Sequence, residues 1–189
     1  MQTSYLKDNM IRLKTLLREM NEDDLKRILE KIRNKQFKLF GQGDNGRVYE
    51  IAGEDKLFKI TTETEEYRVA EVIVGRTTEF TTFIPVYYVD GRNMYIMAKA
   101  TELSEKQRGI VEQFIASYKT YAREQGGEVS IFDYLDADGG RDIDVQLVNF
   151  LRAMQRDIQK TGISDLDLDL DFKTDNIMIW NNKLVMIDW

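Results

Sequence analysis

Glycines are closely spaced in the stretch 41–48, which fits the pattern G-x-G-x-x-G-x-V at every fixed position: Gly41, Gly43, Gly46 and Val48. Glycine lets the backbone turn sharply and approach a phosphate closely, so that amide N–H groups can bind the phosphate oxygens. A plain β-hairpin that uses glycine for its turns is the alternative interpretation. A Rossmann dinucleotide site does not fit, because the sequence after these glycines predicts a strand instead of a long helix.

A lysine lies among large apolar residues shortly after the glycines, at Lys59 in the predicted strand 56–60. It is either an ordinary exposed strand lysine or an ammonium that points inwards and contacts nucleotide phosphates. In the second case a glutamate of the next helix should hold it. Glu71, in the middle of that predicted helix, is the preferred partner, and Glu66, closer to its start, is the alternative.

Oxygen-bearing side chains recur near the end of the sequence. Asp171 is followed five positions later by Asn176, and Asp188 comes after a predicted hairpin. Such side chains can converge, and they suit Mg²⁺, which takes few protein oxygens beside water and phosphate. The apolar residues 185–187 indicate that Asp188 follows a buried strand, which argues against an ordinary surface acid.

Two further groups of aspartates have simpler interpretations. Aspartates alternate with leucines over 165–171, which predicts a half-buried strand with acids on its wet face; a cation site is the alternative, because like charges repel. The acids within 136–144 resemble a calcium loop only superficially. Gly139 and Gly140 fall at the wrong positions for an EF-hand, and no glutamate closes the loop.

The composition removes several classes of chemistry. The 189 residues include no cysteine and no histidine, which excludes disulfides, zinc–thiolate sites and histidine general bases. The net charge is −6 and no Lys/Arg run is present, so neither nucleic acid nor an anionic membrane is an expected partner. No apolar run approaches the ~18 residues of a membrane span, and residues 1–10 lack the apolar core of a signal peptide. The expected compartment is the cytoplasm.

Periodicity predicts the elements that position these residues. Two helices are expected within 4–36, the first with a stripe from Leu6 to Met20 and the second capped by Asn21, with Leu25, Ile28, Leu29 and Ile32 buried. The other predicted helices span 61–76, 104–125 and 142–160, and 126–140 is expected to be a loop with some local structure. Strands are predicted at 37–41, 47–51, 56–60, 83–90, 93–99, 176–180 and 183–187, the last two joined by an Asn181-Asn182 turn. This order predicts an α+β protein in two lobes.

Taken in order, the motifs from Phe37 to Trp189 resemble the protein-kinase-like superfamily. The resemblance implies a five-stranded antiparallel sheet with one helix at 37–100, a reduced helical lobe at 101–189 and an additional helical segment at 1–36. It implies ATP and Mg²⁺ as cofactors, a glycine loop over the phosphates and hinge backbone against adenine. The residues it assigns are Gly41, Gly43, Gly46, Val48, Lys59, Glu71, Ala98 and Ala100 for ATP, Asp171, Lys59 and Lys173 for catalysis, and Asn176 and Asp188 for magnesium.

Two branches of the superfamily compete. Lys173 and Asp175 resemble the D-L-K-P-E-N loop of Ser/Thr protein kinases, and Asn-Ile-Met at 176–178 is similar to small phage-encoded kinases. The ending 187–189, Ile-Asp-Trp, is instead similar to aminoglycoside and choline kinases, which carry I-D-W where protein kinases have D-F-G. The sequence therefore predicts a kinase that phosphorylates Ser/Thr hydroxyls of proteins, with a small-molecule kinase or a non-catalytic, partner-binding member as alternatives.

Two departures from the superfamily shape the expectations. Asp169-Leu170 stands where the family has His-Arg, so control through a phosphorylated activation loop is not expected. The sequence ends one residue after Asp188, where the family continues into helices of the substrate platform. We therefore expect the apolar stripe of 142–160 to need a cover, either residues 1–36 or a surface of a homodimer or protein partner.

Overall fold

The computed structural model describes residues 20–127, 129–139, 143–162 and 172–188. The chain divides into two compact units. Unit 1 comprises the described residues up to Phe80 together with Ile84–Lys99, and unit 2 comprises Thr81–Phe83 and the described residues from Ala100 onwards. Within these described ranges, no helix is long and apolar enough to cross a membrane.

Unit 1 begins with helix α1 (Glu22–Arg33), whose start the sequence predicts correctly. The Asn21 side chain accepts a hydrogen bond of 2.7 Å from the Asp24 N–H, which satisfies one of the donors that a helix start leaves open. Three acids occupy the first turn and two bases the last, as the helix dipole favours. Because Ile28 and its apolar neighbours share one face, α1 is amphipathic and needs a surface to pack on.

Five strands follow: β1 (Phe37–Gly43), β2 (Gly46–Ile51), β3 (Lys56–Thr61), β4 (Val86–Val89) and β5 (Met94–Ala98). They form one antiparallel sheet in the order β1-β2-β3-β5-β4. Helix α2 (Thr64–Ile73) lies in the chain between β3 and β4. The predicted α+β class, with a five-stranded antiparallel sheet interrupted by one helix, is confirmed.

One face of the sheet packs against α1. Ile28 is fully buried there in a cluster with Ile51, Phe58 and Ile96, and aromatic rings of β1 and β2 complete the layer. Glu54, in the turn after β2, binds Lys31 of α1 at 2.5 Å, which adds an ion pair to the edge of this layer. This part of the 1–36 segment therefore covers one face of the sheet, while residues 1–19 lie outside the described residues.

Unit 2 is mainly helical in its described part. It contains α3 (Glu105–Glu124), the short α4 (Ile131–Tyr134) with a π-helical turn Leu135–Gly139, and α5 (Val145–Thr161). A 3₁₀ turn (Thr174–Asn176) leads into a hairpin of β6 (Ile177–Trp180) and β7 (Lys183–Met186). Asn181 and Asn182 join these strands with φ values of 47° and 61°, the left-handed pair that a tight hairpin turn of this type needs.

The apolar stripe of α5 is buried. Leu147, Leu151, Met154 and Ile158 are each at most 1% exposed, and Phe150 is 6% exposed. The stripe that was expected to need a cover is therefore buried within a single chain. Val145, at the start of the helix, lies outside this stripe and is 71% exposed.

Candidate functional site

The glycine stretch forms the tip of the β1–β2 hairpin in unit 1. Gly43 pairs with Gly46 across a turn made by residues 44–45, and Gly41 pairs with Val48. A Cβ atom at Gly46 would lie 2.6 Å from the carbonyl oxygen of Ile60, so that only glycine fits there. At Gly41 and Gly43 a Cβ would meet nothing within 4 Å. The hairpin interpretation is thus correct as geometry, and the open space beside two of its glycines leaves room for a ligand's oxygens.

A single carbonyl group holds the hairpin tip against the end of β3. The backbone carbonyl oxygen of Asn45 accepts hydrogen bonds from the Thr62 N–H at 2.8 Å and from the hydroxyls of Thr61 and Thr62 at 3.1 and 3.2 Å. The Asn45 side chain also donates to Glu63, just before α2. These contacts fix a turn that would otherwise have only its own hairpin bonds, and they link it to the neighbouring ion pair through Thr61.

Lys59 points inwards from β3 and is 7% exposed. Its Nζ lies 2.5 Å from Oε1 of Glu66, which is itself 1% exposed. The preference for Glu71 as the partner is therefore wrong, and the alternative, Glu66, is correct. Glu71 is exposed.

Helical geometry explains why Glu66 was the better choice. Glu66 is in phase with Val69, Ala70 and Ile73, which are all buried, whereas Glu71 is five residues further and about 140° away around the helix. Since α2 begins soon after β3 ends, its first turn is the part nearest to Lys59 in sequence. A carboxylate in the first turn also interacts favourably with the helix dipole.

Two hydroxyl groups complete the surroundings of Glu66. The Thr61 hydroxyl donates to Oε2 at 2.5 Å, and the Tyr95 hydroxyl donates to Oε1. Thr61 and Tyr95 are at most 1% exposed, so both carboxylate oxygens are satisfied away from water. An ion pair buried in this way is held by fixed donors, because moving Glu66 would break hydrogen bonds that no solvent can replace.

The remaining residues predicted to contact ATP are Val48, Ala98 and Ala100. Val48 lies directly across from Lys59 in the β2–β3 pair, so it shares a cross-strand position with the buried ammonium. The Ala98 N–H donates to the Pro85 carbonyl at 2.9 Å and is therefore engaged within the sheet. The Ala98 carbonyl and the backbone of Ala100 remain predicted contacts to adenine.

In unit 2 the two predicted magnesium ligands are brought together by the backbone. The Ile187 N–H donates to the Asn176 carbonyl at 3.0 Å, so Asp188 follows directly after a residue that is bonded to Asn176. An amide oxygen and a carboxylate fit Mg²⁺, which is commonly held by one or two protein oxygens with water and phosphate. Asp171 lies outside the described residues, as do the acids of 165–170, and Lys173 is exposed beside the 3₁₀ turn.

The segment that carries Asn176 is attached to helix α3 at two points. The Phe172 ring packs edge-on against buried Phe114, with ring centroids 5.9 Å apart. Arg108 donates to Asp175 at 2.9 Å in an exposed ion pair. Neither contact follows from a local sequence pattern, because both join residues nearly sixty or more positions apart.

Four buried residues with polar side-chain groups were also missed: Thr61, Thr82, Tyr95 and Asp157. Tyr95 shows a usable signal, because it lies in a strand predicted to be apolar and its hydroxyl must find a partner when buried. Asp157 offers a similar signal, since it lies three residues after Met154 and seven after Phe150, on the buried face of α5. Among the described residues, no group of three or more His, Cys, Asp or Glu side chains is arranged to hold a metal ion.

Comparisons with known proteins give little beyond this. No protein-family profile matches the chain, and no curated protein matches it in sequence. One solved structure that resembles it is the streptomycin–ATP–APH(2")-IIa ternary complex, at 12% sequence identity and a TM-score of 0.34. The match covers 90% of this chain and 70% of that one. At so low a TM-score the assignment of function has to rest on the residues of the chain itself.

Proposed function

We propose that this protein is an ATP- and magnesium-dependent phosphotransferase of the protein-kinase-like type. The observation that carries the proposal is the buried Lys59–Glu66 pair beside the glycine hairpin. A buried ion pair is a poor way to stabilise a fold, because the desolvation of both charges offsets most of their attraction. An ammonium held rigidly next to a glycine-rich turn is, however, well suited to bind phosphate oxygens.

The proposed roles in unit 1 follow from this geometry. The backbone N–H groups around Gly41 and Gly43 bind phosphate oxygens in the space that the missing side chains leave open. Lys59 neutralises charge on the α- and β-phosphates, and Glu66 holds the ammonium in place. Because Thr61 and Tyr95 fix Glu66, the lysine is positioned before the nucleotide binds, which reduces the reorganisation that binding requires.

The proposed roles in unit 2 concern the metal and the acceptor. Asn176 and Asp188 hold Mg²⁺, which when bound neutralises charge on the phosphate oxygens. Asp171 orients the acceptor hydroxyl and takes its proton. In the reaction a bond forms between the acceptor oxygen and the γ-phosphorus, the bond from that phosphorus to the bridging oxygen of ATP breaks, and ADP leaves.

A serine or threonine hydroxyl of a protein is the proposed acceptor. The support is Lys173, an exposed lysine two residues after Asp171, at the position where the loop of Ser/Thr protein kinases carries its lysine. A small hydroxylated molecule is the second candidate, favoured by Ile187-Asp188-Trp189. A non-catalytic protein that binds nucleotide and a partner is the third, and it differs from the others in showing no phosphoryl transfer.

The test uses ATP labelled at the γ-phosphate, with Mg²⁺. We expect transfer to the protein itself or to a general protein substrate, and no transfer by Asp171→Ala. Mg-ATP at a hundredfold excess over its dissociation constant should also stabilise the fold by ~2.7 kcal/mol, seen as a higher Tm. Equal transfer by the wild type and Asp171→Ala would remove the proposed base. A Tm shift without any transfer would favour the non-catalytic alternative.

A small-molecule acceptor is distinguished in the same assay. Labelled product would then appear only when an amino sugar or choline is added, and none would appear on protein.

A further inference from the structure

Unit 2 contains a buried carboxylate that the proposed chemistry does not use. Asp157 of α5 is 2% exposed, and its Oδ2 accepts hydrogen bonds from the N–H groups of Thr81 and Thr82 at 2.8 and 3.0 Å. The Thr82 hydroxyl donates to the same oxygen at 2.9 Å. The other oxygen, Oδ1, accepts from Lys160 at 2.9 Å. Asp157 thus gathers two backbone donors of a segment 75 or more positions away in the sequence.

The segment held by Asp157 is in turn bonded to strand β7. The Met186 N–H donates to the Thr82 carbonyl at 2.7 Å, and Phe83 forms a parallel bridge with Met186. Thr82, Phe83 and Met186 are all at most 3% exposed, so water has little access to these hydrogen bonds. On the opposite edge β7 pairs with β6, where Met186 lies across from Ile177.

Strand β7 is therefore fixed from both edges just before Asp188. Its β6 neighbour brings it to Asn176, through the Ile187 N–H and the Asn176 carbonyl at 3.0 Å. Residues 81–83 fix its other edge, and these residues keep their position because Asp157 binds their N–H groups. A charged acceptor makes stronger hydrogen bonds to N–H groups than a neutral one does, which suits an anchor that must hold a peptide segment rigidly.

We infer that Asp157 is a positioning residue for the magnesium ligand Asp188, acting through Thr82 and Met186. The inference rests on the proposed function, in which Asp188 holds the metal. Two observations argue for it together: the acid is buried on an otherwise apolar helix face, and its bonds lead within one further hydrogen bond to the strand that ends beside Asp188. Removing a hydrogen-bonding partner that orients a metal ligand typically lowers metal affinity by ~10–100-fold.

The test compares four variants of the full chain with the wild type: Asp157→Ala, Asp157→Asn, Thr82→Val and Thr81→Val. The first readout is the Mg²⁺ concentration that gives half-maximal binding of ATP, with binding in the absence of metal as the reference. The second is hydrogen–deuterium exchange of peptides that cover residues 183–188 in the nucleotide-free protein. The second readout needs neither metal nor activity.

Asp157→Ala should raise the half-maximal Mg²⁺ concentration by ~10–100-fold, leave metal-free ATP binding unchanged and speed exchange at 183–188. Asp157→Asn should restore most of the affinity, because its amide oxygen can still accept from both N–H groups. Thr82→Val should have a smaller effect in the same direction. Thr81→Val is the matched control and should behave as the wild type, since its hydroxyl is 3.5 Å from Oδ2.

Asp157 would be merely structural if Asp157→Ala lowered the Tm but kept the wild-type Mg²⁺ dependence, and that result overturns the inference. Where Asp157→Ala does not fold, Thr82→Val and Asp157→Asn decide, and wild-type values for both readouts in Thr82→Val overturn it as well. If the wild type itself shows no magnesium-dependent ATP binding, the proposed function fails together with the inference. Wild-type binding with unaffected variants defeats the inference alone.

Discussion

Glu66 of unit 1 and Asp157 of unit 2 are both buried acids, and the donors around them differ in kind. Glu66 is surrounded by side chains: an ammonium and two hydroxyls, from Lys59, Thr61 and Tyr95. Asp157 also accepts from two backbone N–H groups, those of Thr81 and Thr82, and its lysine partner, Lys160, is 46% exposed. Backbone donors hold a chain segment in place, whereas side-chain donors hold a functional group. The side-chain donors around Glu66 therefore indicate a site of chemistry, and the backbone donors at Asp157 indicate a structural support.

The largest loss of stability should come from removing the carboxylate of Glu66. Glu66→Ala removes a charge partner of the buried Lys59 ammonium, and removal of one member of a buried pair typically costs ~3–5 kcal/mol. Glu71→Ala is the control, and it should change stability by no more than ~0.5 kcal/mol, because Glu71 is exposed. Chemical denaturation of both variants measures this. Equal losses would contradict the pairing with Glu66.

The same conservative substitution at both acids sharpens the comparison. Glu66→Gln removes the charge that Lys59 needs, so phosphoryl transfer should fall by ~10²–10³, as for the loss of one group in a preorganised site. Asp157→Asn keeps an oxygen for the N–H groups of Thr81 and Thr82, and its transfer rate at saturating Mg²⁺ should stay within about threefold of the wild type. Steady-state kinetics of the two variants, side by side, provide the measurement. A larger loss at Asp157 would reverse the assignment of the two roles.

Alanine substitutions at two glycines of the β1–β2 hairpin test its packing beside Lys59 and its space for a phosphate. Gly46→Ala forces a Cβ to within 2.6 Å of the Ile60 carbonyl and 3.3 Å of Lys59 Cε, and overpacking of this kind typically costs ~1–3 kcal/mol. Gly41→Ala meets nothing within 4 Å and should leave the Tm nearly unchanged, while weakening Mg-ATP binding by occupying the open space. Thermal unfolding with and without Mg-ATP separates the two effects. Gly41→Ala with wild-type binding would show that the hairpin is not a phosphate loop.

The smallest effect concerns Glu50, a partly exposed acid that binds two lysines, Lys38 and Lys99. Lys38 and Lys99 hold the pKa of Glu50 down from 4.5 to about 2 through hydrogen bonds. Because the pKa is lower in the folded state, the stabilisation is complete above pH 4.5 and is lost as the pH falls towards about 2. Glu50→Gln should therefore flatten stability against pH in that window and leave its slope near neutral pH unchanged. Denaturant unfolding at several pH values checks this. If the free energy of unfolding of Glu50→Gln fell between pH 4.5 and about 2 as steeply as that of the wild type, the lysines would contribute nothing.

Local patterns predicted most of the fold. The Asn21 cap, the glycine-bounded strands β1–β3 and the Asn181-Asn182 turn depend on neighbouring residues, so the sequence shows them directly. Glu66 was also within reach, because the apolar spacing of α2 places it on the buried face. The hydroxyl of Tyr95 and the anchor at Asp157 were not, since their partners are 29 and 75 positions away. Such contacts depend on how whole elements pack, which periodicity does not specify.

The bridge between Phe83 and Met186 has a consequence for the order in which the protein folds during synthesis. Helix α1 and strands β1–β3 contact elements close to them in the chain, so they can assemble soon after leaving the ribosome. Phe83 emerges with them, but its partner strand is translated about a hundred residues later. At ~5–20 residues per second, this segment waits on the order of 5–20 s before it can pair. During that interval its buried side chains are open to chaperones, and Asp188, the proposed metal ligand, can take its position only after this bridge has formed.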